Sequence, residues 1–261
     1  MKVKFSQKHP VIASVLWALL LLVFYFASGF TIAATKASAT NTMLIRAACV
    51  FASCLLAVIY IWQSKHSFSE FGFKGLTKKN IKKVLYFLPI IAMEVVPFFA
   101  GFRDDNDFMY ILAVLACTLC VGFAEELYFR GFIFNILKVK GMQFAIIISS
   151  VLFGFSHLTN IAGGAGVAET ILQIFFAFFF GFVCAEIMIL TGTMLPIMLW
   201  HTLHDFISFT TNDGSKTFFI VGAAIQTIIL IIFGIYLFTL IRKQTPLRSV
   251  PDREDTADTF N

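Results

Sequence analysis

Residues 108–137 read FMYILAVLACTLCVGFAEELYFRGFIFNIL, and this stretch decides what kind of protein the chain forms. Its first 17 residues carry no charged side chain. A helix needs roughly 20 mostly apolar residues to cross about 30 Å of hydrocarbon. The stretch is long enough for that crossing, yet its second half contains two adjacent glutamates and an arginine. We therefore predict a membrane-spanning helix that carries a polar site.

Apolar runs of this length recur along the whole chain. Of the 261 residues, 59% are hydrophobic and only 13% are charged. A soluble domain needs a polar surface, and this chain has too few charges to build one. We predict an all-α polytopic membrane protein with about eight transmembrane helices bundled around a polar cavity. The predicted spans are residues 11–34, 43–63, 83–102, 108–137, 143–159, 167–190, 193–210 and 217–241.

The loop charges predict the orientation of these spans. Lysine and arginine concentrate in the N-terminal residues, the linker 64–82, the turn around Lys138 and the segment after residue 241. Such loops face the cytoplasm, and an even number of spans places both termini there. The chain has a net charge of +5, and we expect its basic loop residues to contact anionic lipid. We predict no nucleic-acid partner. The predicted location is the plasma membrane.

The same reading divides the chain into four parts. The first apolar run resembles a signal peptide but exceeds the usual 7–15 residues, which favours an uncleaved helix. In the linker, Phe71-Gly72-Phe73 and the lysines after it predict a short amphipathic stretch on the membrane surface. The predicted parts are residues 1–107 with helices 1–3 and the cytoplasmic linker 64–82, the core 108–210, a last helix at 211–241, and a disordered cytoplasmic tail at 242–261.

Ionisable groups inside the apolar spans are the candidate site residues, because a bilayer penalises them unless they are paired or hydrated. Arg130 lies one helical turn after Glu126 and can neutralise it. Glu125 lies about 100° away around the helix and lacks that partner. One cation for two acids makes Glu125 a candidate general base. A packing salt bridge between helices is the equally weighted alternative.

Two further spans carry histidines at helical spacing. His157 follows Phe153 by one turn, and His201, His204 and Asp205 can line one stripe of their helix. Each group alone reads as an ordinary structural contact. Polar groups occur within three separate membrane spans, and a single water-filled cavity shared by these spans explains them better.

The expected depths of these groups do not agree. In an upright bundle, Glu125 falls near mid-membrane and His201 in the inner half, whereas His157 falls nearer the outer face. Helix tilt, a long fourth helix that protrudes into the cytoplasm, or a shifted start of the fifth span would remove this mismatch.

A cavity with two imidazoles and two carboxylates can bind and deprotonate water. Glutamate can do this directly, or a divalent metal such as zinc can do it. The candidate metal ligands are Glu125, His157, His201 and Asp205. No HExxH motif, phosphate loop or dinucleotide fingerprint is present. Both the direct and the metal-dependent routes stay open at this point.

The three motifs together resemble a known family. EExxxR, FxxxH and HxxxD/N, each on its own membrane helix and in this order, are the signature of the CPBP family. It comprises the type II CAAX prenyl endopeptidases and bacterial relatives linked to bacteriocin processing or self-immunity, the Abi group. Here the motifs are Glu125-Glu126-xxx-Arg130, Phe153-xxx-His157 and His201-xxx-Asp205.

The resemblance implies an intramembrane endopeptidase of the metalloprotease class, with a cavity that faces the cytoplasm. By the same resemblance, Glu125 activates the hydrolytic water and His157 helps to hold it. His201 and Asp205 supply the remaining water-binding or metal-binding contacts and the contacts that stabilise the oxyanion.

The resemblance also assigns supporting roles. Glu126 and Arg130 form the orienting ion pair, and Phe153 orients His157. Asp205 stands where the prenyl endopeptidases usually have asparagine, and its added negative charge favours a metal. His204 lies outside the motif and is interpreted as a bystander rather than a supporting partner of His201.

Three functions compete at this stage. The first is an endopeptidase that hydrolyses a membrane-associated peptide or protein, with a role in bacteriocin processing or self-immunity. The second is a non-enzymatic membrane immunity factor, and the third is an ion-coupled transporter. Glu94 and Glu186 are interpreted as structural, although either could line the cavity. The sequence does not predict an oligomeric state.

Overall fold

The fold is a helical bundle. The computed structural model describes residues 5–75, 83, 85–162, 164–212 and 214–244. Within these ranges all regular secondary structure is helical, apart from one isolated bridge between Phe102 and Thr211. The α-helices are α1 (Phe5–Lys8), α2 (Pro10–Thr35), α3 (Ala39–Gln63), α4 (Leu88–Met93), α5 (Phe108–Glu126), α6 (Phe134–Leu137), α7 (Met142–Ser156), α8 (Thr159–Ala162), α9 (Val167–Thr191), α10 (Leu195–Thr210) and α11 (Lys216–Gln244).

Among the described residues, six helical stretches are long and apolar enough to cross a membrane, so the predicted all-α polytopic membrane protein is confirmed. Two of the eight predicted spans are shorter. The third covers Leu85–Ala100 and is interrupted after α4, where a 3₁₀ turn begins at Pro97. The seventh is α10, with 16 residues. Proline lacks the backbone N–H that a continuous helix requires, which explains the interruption at Pro97. The qualifying stretches are Pro10–Thr35, Ala39–Gln63, Phe108–Lys140, Met142–Ile161, Val167–Thr191 and Lys216–Lys243.

The two short segments nevertheless connect the same two ends of the bundle. Near one end, the Met194 amide donates a hydrogen bond to the Gly72 carbonyl at 2.9 Å. Near the other, the Arg103 amide donates to the Thr210 carbonyl at 3.1 Å, and Phe102 forms the bridge with Thr211. The third apolar segment and α10 therefore lie next to each other and run in the same direction.

The fourth span contains a feature that its apolar pattern does not predict. Directly after α5 the chain is π-helical from Leu127 to Ile133, returns to α-helix in α6, and ends in a 3₁₀ turn at Lys138–Lys140. All seven residues of the π-helical segment are buried. Such wide turns are rare and occur frequently at functional sites. This one begins immediately after Glu126.

The hairpin at Gly141 removes the predicted mismatch in depth. Glu125 lies 16 residues before Gly141, and His157 lies 16 residues after it. At about 1.5 Å per residue, two antiparallel helices that meet at Gly141 bring these side chains to the same level. The explanation is the long fourth helix, which continues to Lys140, as one of the anticipated solutions required.

Three glycines allow the site helices to approach closely. A Cβ atom on Gly122 would lie 2.5 Å from Thr202 Oγ1 of α10, and one on Gly154 would lie 2.9 Å from the Ile174 carbonyl of α9. A Cβ atom on Gly181 would lie 2.9 Å from Arg130 Nη2. Small residues at helix crossings are the usual basis of close packing in membranes.

The linker packs into the bundle more than we predicted. Phe71 makes an edge contact with Phe132 at 5.1 Å between ring centroids, and Phe73 lies 5.5 Å from Phe123. The two aromatic side chains are therefore partly buried against the fourth span rather than spread on a membrane surface. The linker residues 76–82 and the predicted tail beyond residue 244 lie outside the described residues.

Candidate active site

The candidate site is a cavity of about 690 Å³ between the helices that carry the three motifs. Glu125 projects from the last turn of α5, His157 follows the end of α7, and His201 and Asp205 lie on α10. All four side chains line this cavity. The structure thus brings together the groups for which the sequence predicts a shared pocket. Their catalytic roles remain predictions.

Glu126 forms the buried centre of the site. Its Oε1 atom accepts a hydrogen bond from Arg130 Nη1 at 3.1 Å and another from His201 Nδ1 at 2.9 Å. Glu126 and Arg130 are almost completely excluded from solvent. A buried charge is tolerated when it is paired and hydrogen-bonded, so this pair fits the predicted orienting role. Glu126 also holds the imidazole of His201 in place.

Glu125 is held on two sides. The Tyr25 hydroxyl of α2 donates a hydrogen bond to Glu125 Oε1 at 2.6 Å. The other oxygen, Oε2, faces His201 Nε2 at 3.5 Å. Glu125 is only 8% exposed, but it keeps access to the cavity. As expected for a general base, it is separate from the Glu126–Arg130 pair.

Three acceptor atoms converge beside Glu125. A carboxylate can only accept a hydrogen bond, so His201 Nδ1 must carry the proton that it shares with Glu126. In the neutral ring, Nε2 is then an acceptor, and it faces Glu125 Oε2 and Asp205 Oδ2 at 3.5 and 3.8 Å. Acceptors repel one another unless a donor lies between them. A water molecule, with two protons to donate, suits this arrangement.

His157 is oriented by its own helix and by aromatic rings. Its Nδ1 lies 3.0 Å from the Phe153 carbonyl, to which it donates, so that Nε2 is left as the free atom of the neutral ring. The Phe153 ring contacts His157 and His201 edge-on at 5.3 and 5.9 Å. On the same ring lies the Arg130 guanidinium, 4.4 Å from the centroid. Phe153 therefore links the first, second and third motifs.

His204 is not a bystander in the structure. Its Nδ1 lies 3.0 Å from Glu94 Oε2, and the Trp200 indole donates to Glu94 Oε1 at 2.7 Å. The His204 ring also stacks on Phe176 at 5.1 Å. Glu94 is buried at the break that follows α4. The interaction thus joins α10 to the interrupted third segment, which agrees with a structural role for Glu94.

A second cavity of about 530 Å³ adjoins the first. The two share Arg46, His157, His201 and Asp205 as wall residues. The second cavity extends between α9, α10 and α11 and is rich in aromatic side chains. The site therefore lies where two cavities meet, with open space on either side of it.

Glu186 and Arg46 are the remaining ionisable groups of interest. Glu186 is fully buried on α9, and neither carboxylate oxygen finds a hydrogen-bond partner among the described residues. It lines neither cavity described above. Arg46 of α3 is half-buried, lines both cavities and has no ion-pair partner in the described part of the chain.

The candidate metal ligands do not form a metal-binding site in this structure. Across the described residues, no group of three or more His, Cys, Asp and Glu side chains is arranged to hold a metal ion. The predicted ligand set of Glu125, His157, His201 and Asp205 therefore does not fit a bound ion in this arrangement. The divalent metal stays a prediction, and no chemical step below depends on it.

Two contributions to the site were missed by sequence reasoning. Tyr25 is one of many aromatic residues in an apolar run, so nothing in the pattern distinguishes it. The contact between Glu94 and His204 joins residues 110 positions apart. Only the second contribution had a signal in the sequence, because Glu94 and His204 are both ionisable residues inside apolar spans.

Comparison with known proteins finds one family that resembles the core of the chain. Residues 107–207 match the family model described as "Type II CAAX prenyl endopeptidase Rce1-like". The matched segment contains all three motifs and nearly coincides with the predicted core, and it confirms the family resemblance. No curated protein matches the chain.

Proposed function

We propose that the protein is an intramembrane endopeptidase, because residues 107–207 match the type II CAAX prenyl endopeptidase Rce1-like family model. The observation that carries the proposal is the convergence of Glu125 Oε2, His201 Nε2 and Asp205 Oδ2 within 3.5 and 3.8 Å in a partly enclosed cavity. This arrangement favours one water molecule beside a carboxylate that has no cation of its own.

In the proposed reaction Glu125 acts as general base. It takes one proton from the water, whose oxygen attacks the carbonyl carbon of the scissile peptide bond. The C–N bond then breaks, and the leaving amine takes the proton back from the Glu125 carboxyl group. His157 and Asp205 hold the water during the attack. No proton or electron is left over in this cycle.

The negative charge on the carbonyl oxygen needs a positive partner. Arg46 carries a guanidinium cation and lines the same cavity. Asp205, as an anion, cannot donate to an oxyanion. We therefore assign Asp205 and His201 Nε2 to the water and Arg46 to the oxyanion.

The proposed substrate is a membrane-associated peptide or protein segment. The two cavities that meet at the site provide space for residues on both sides of a scissile bond, as an endopeptidase requires. The aromatic walls of the second cavity favour an apolar side chain or lipid group. Processing of a bacteriocin precursor, or self-immunity, is the biological role we propose.

The test is hydrolysis by the purified, full-length protein in lipid nanodiscs. The probes are an internally quenched farnesylated CAAX peptide and an unmodified apolar peptide of the same length. Glu125→Gln should lower the rate by about 10²- to 10⁴-fold, the usual contribution of a general base. Glu186→Gln is the matched control, because Glu186 is buried but lies outside both cavities, and it should keep wild-type activity.

A comparison of the membrane proteomes of cells that express wild-type protein or Glu125→Gln identifies substrates that the probes miss. Equal peptide profiles, together with equal hydrolysis by both proteins, would overturn the proposed function. Treatment with a chelator separates the two routes to activated water. Loss of hydrolysis that added zinc restores would show that a metal takes part, whereas unchanged hydrolysis supports direct activation by Glu125.

A further inference from the structure

Tyr25 lies outside the segment that matches the protease family, yet it makes the shortest contact to the proposed general base. Its hydroxyl donates to Glu125 Oε1 at 2.6 Å. Tyr25 belongs to α2, whereas the family match begins at residue 107. The N-terminal helices therefore contribute directly to the site, and the core does not contain all of it.

This contact restricts the direction in which Glu125 can act. A carboxylate has two oxygens, and Tyr25 occupies one of them. The other is Oε2, the atom that faces His201 Nε2. Rotation of the carboxylate group would exchange the two oxygens, and the hydrogen bond from Tyr25 opposes that rotation. A bond to a charged acceptor is shorter and stronger than one between neutral groups, as the 2.6 Å distance illustrates.

The side chain of Tyr25 is held in place by the packing of its helix. Its ring lines the cavity beside Glu125, and the carbonyl of Tyr25 accepts a hydrogen bond from Ser28 Oγ at 2.8 Å. Four residues before it, Leu21 is almost completely buried and fixes this face of α2 in the core. The phenol is therefore held by a packed helix rather than by a loop.

We propose that Tyr25 is a positioning residue for the proposed peptidase reaction, which holds Glu125 with Oε2 directed at the water. The inference rests on the proposed function, because it assumes that Glu125 is the general base. The inference concerns how precisely the Glu125 carboxylate is oriented, and not how tightly the substrate binds. Loss of the hydroxyl should therefore act on kcat and leave KM nearly unchanged.

The experiment measures kcat and KM of Tyr25→Phe in nanodiscs with the quenched peptide that the wild type cleaves. This substitution removes the hydroxyl and keeps the ring. We expect kcat to fall about 10- to 100-fold, the change expected on losing a hydrogen bond to a charged group, with KM within threefold of wild type. Incorporation of 3-fluorotyrosine at position 25 keeps the donor and should restore most of the rate.

Tyr110→Phe is the matched control. Its hydroxyl also joins two helices, by donating to the Phe209 carbonyl at 3.2 Å, but it does not contact Glu125. It should keep the wild-type kcat. If Tyr25→Phe keeps the wild-type kcat while Glu125→Gln is inactive, the role of Tyr25 is overturned and the proposed function stands. Full activity of Glu125→Gln would overturn both.

A stability measurement separates positioning from folding. Thermal unfolding in detergent is compared for Tyr25→Phe, Glu125→Gln and the double variant. A direct hydrogen bond predicts that the shift in Tm of the double variant is smaller than the two single shifts together. A Tyr25→Phe protein that loses activity only in proportion to its folded fraction would contradict the positioning role.

Discussion

At the scale of single residues, Arg130 shows why a charge can be buried in this bundle. It pairs with Glu126, lies over the ring of Phe153 and occupies space that Gly181 leaves open. Its Nη2 atom and Glu126 Oε2 nevertheless find no hydrogen-bond partner among the described residues. Removal of either partner alone would leave an uncompensated charge, whereas removal of both would leave a neutral pocket.

We expect Arg130→Met to lower the free energy of unfolding by about 3–5 kcal/mol, because it leaves the Glu126 carboxylate buried without its cation. The double variant Arg130→Met with Glu126→Gln should recover part of that loss. Titration with SDS of protein in mixed micelles measures both values. A double variant that is less stable than Arg130→Met would show that the pair is not the source of the effect.

At the scale of helices, the geometry of the site depends on how closely α5 and α10 approach. α5 carries Glu125 and Glu126, and α10 carries His201 and Asp205. The helices meet at Gly122, where an added Cβ would lie 2.5 Å from Thr202 Oγ1 and 3.2 Å from the Met198 carbonyl. The carbonyl belongs to the backbone and cannot rotate away, so α10 would have to shift by a few tenths of an ångström at this contact.

Gly122→Ala should therefore destabilise the protein by about 1–3 kcal/mol, the usual cost of overpacking. It should also reduce hydrolysis, because the displacement of α10 lengthens the distance from His201 to Glu125. Hydrolysis in nanodiscs and titration with SDS measure the two effects. Gly234→Ala is the control, because Gly234 lies outside both cavities and the nearest atom to its added Cβ is a side-chain atom, Phe182 Cδ1 at 3.2 Å. Equal behaviour of the two variants would argue against this account of the α5–α10 contact.

At the scale of the whole molecule, the two ends of the bundle differ in the charge of their described turns. The basic turn that contains Lys138 and Lys140 lies at the end where Gly141 reverses the chain. The acidic turn that contains Asp104 and Asp105 lies next to Phe102 and Thr211 at the other end. The positive-inside rule places the first end in the cytoplasm, and we propose this orientation in the plasma membrane.

Labelling of single cysteines tests the orientation. In a variant that lacks the five native cysteines, Asp104→Cys should react with a membrane-impermeant maleimide in intact cells. Lys140→Cys should react only in inverted membrane vesicles, because its loop is expected to face the cytoplasm. Hydrolysis by the cysteine-free protein confirms that it is folded. The opposite labelling pattern would reverse the proposed topology.

The sequence by itself determined the membrane fold and the identity of the three polar motifs. Both follow from local properties, since apolar length specifies a span and a charge within it requires a partner. Glu126 and Arg130 illustrate this, because they are one turn apart and their pairing follows from helical spacing alone. The family resemblance rests on the same motifs.

Only the tertiary structure decided how the motifs meet. The equal depth of Glu125 and His157 depends on the long helix that ends at Lys140, and the pairing of His204 with Glu94 depends on the break in the third segment. Tyr25 reaches Glu125 across 100 residues of sequence. Helical periodicity carries no information on such distances, because they are set by the packing between helices.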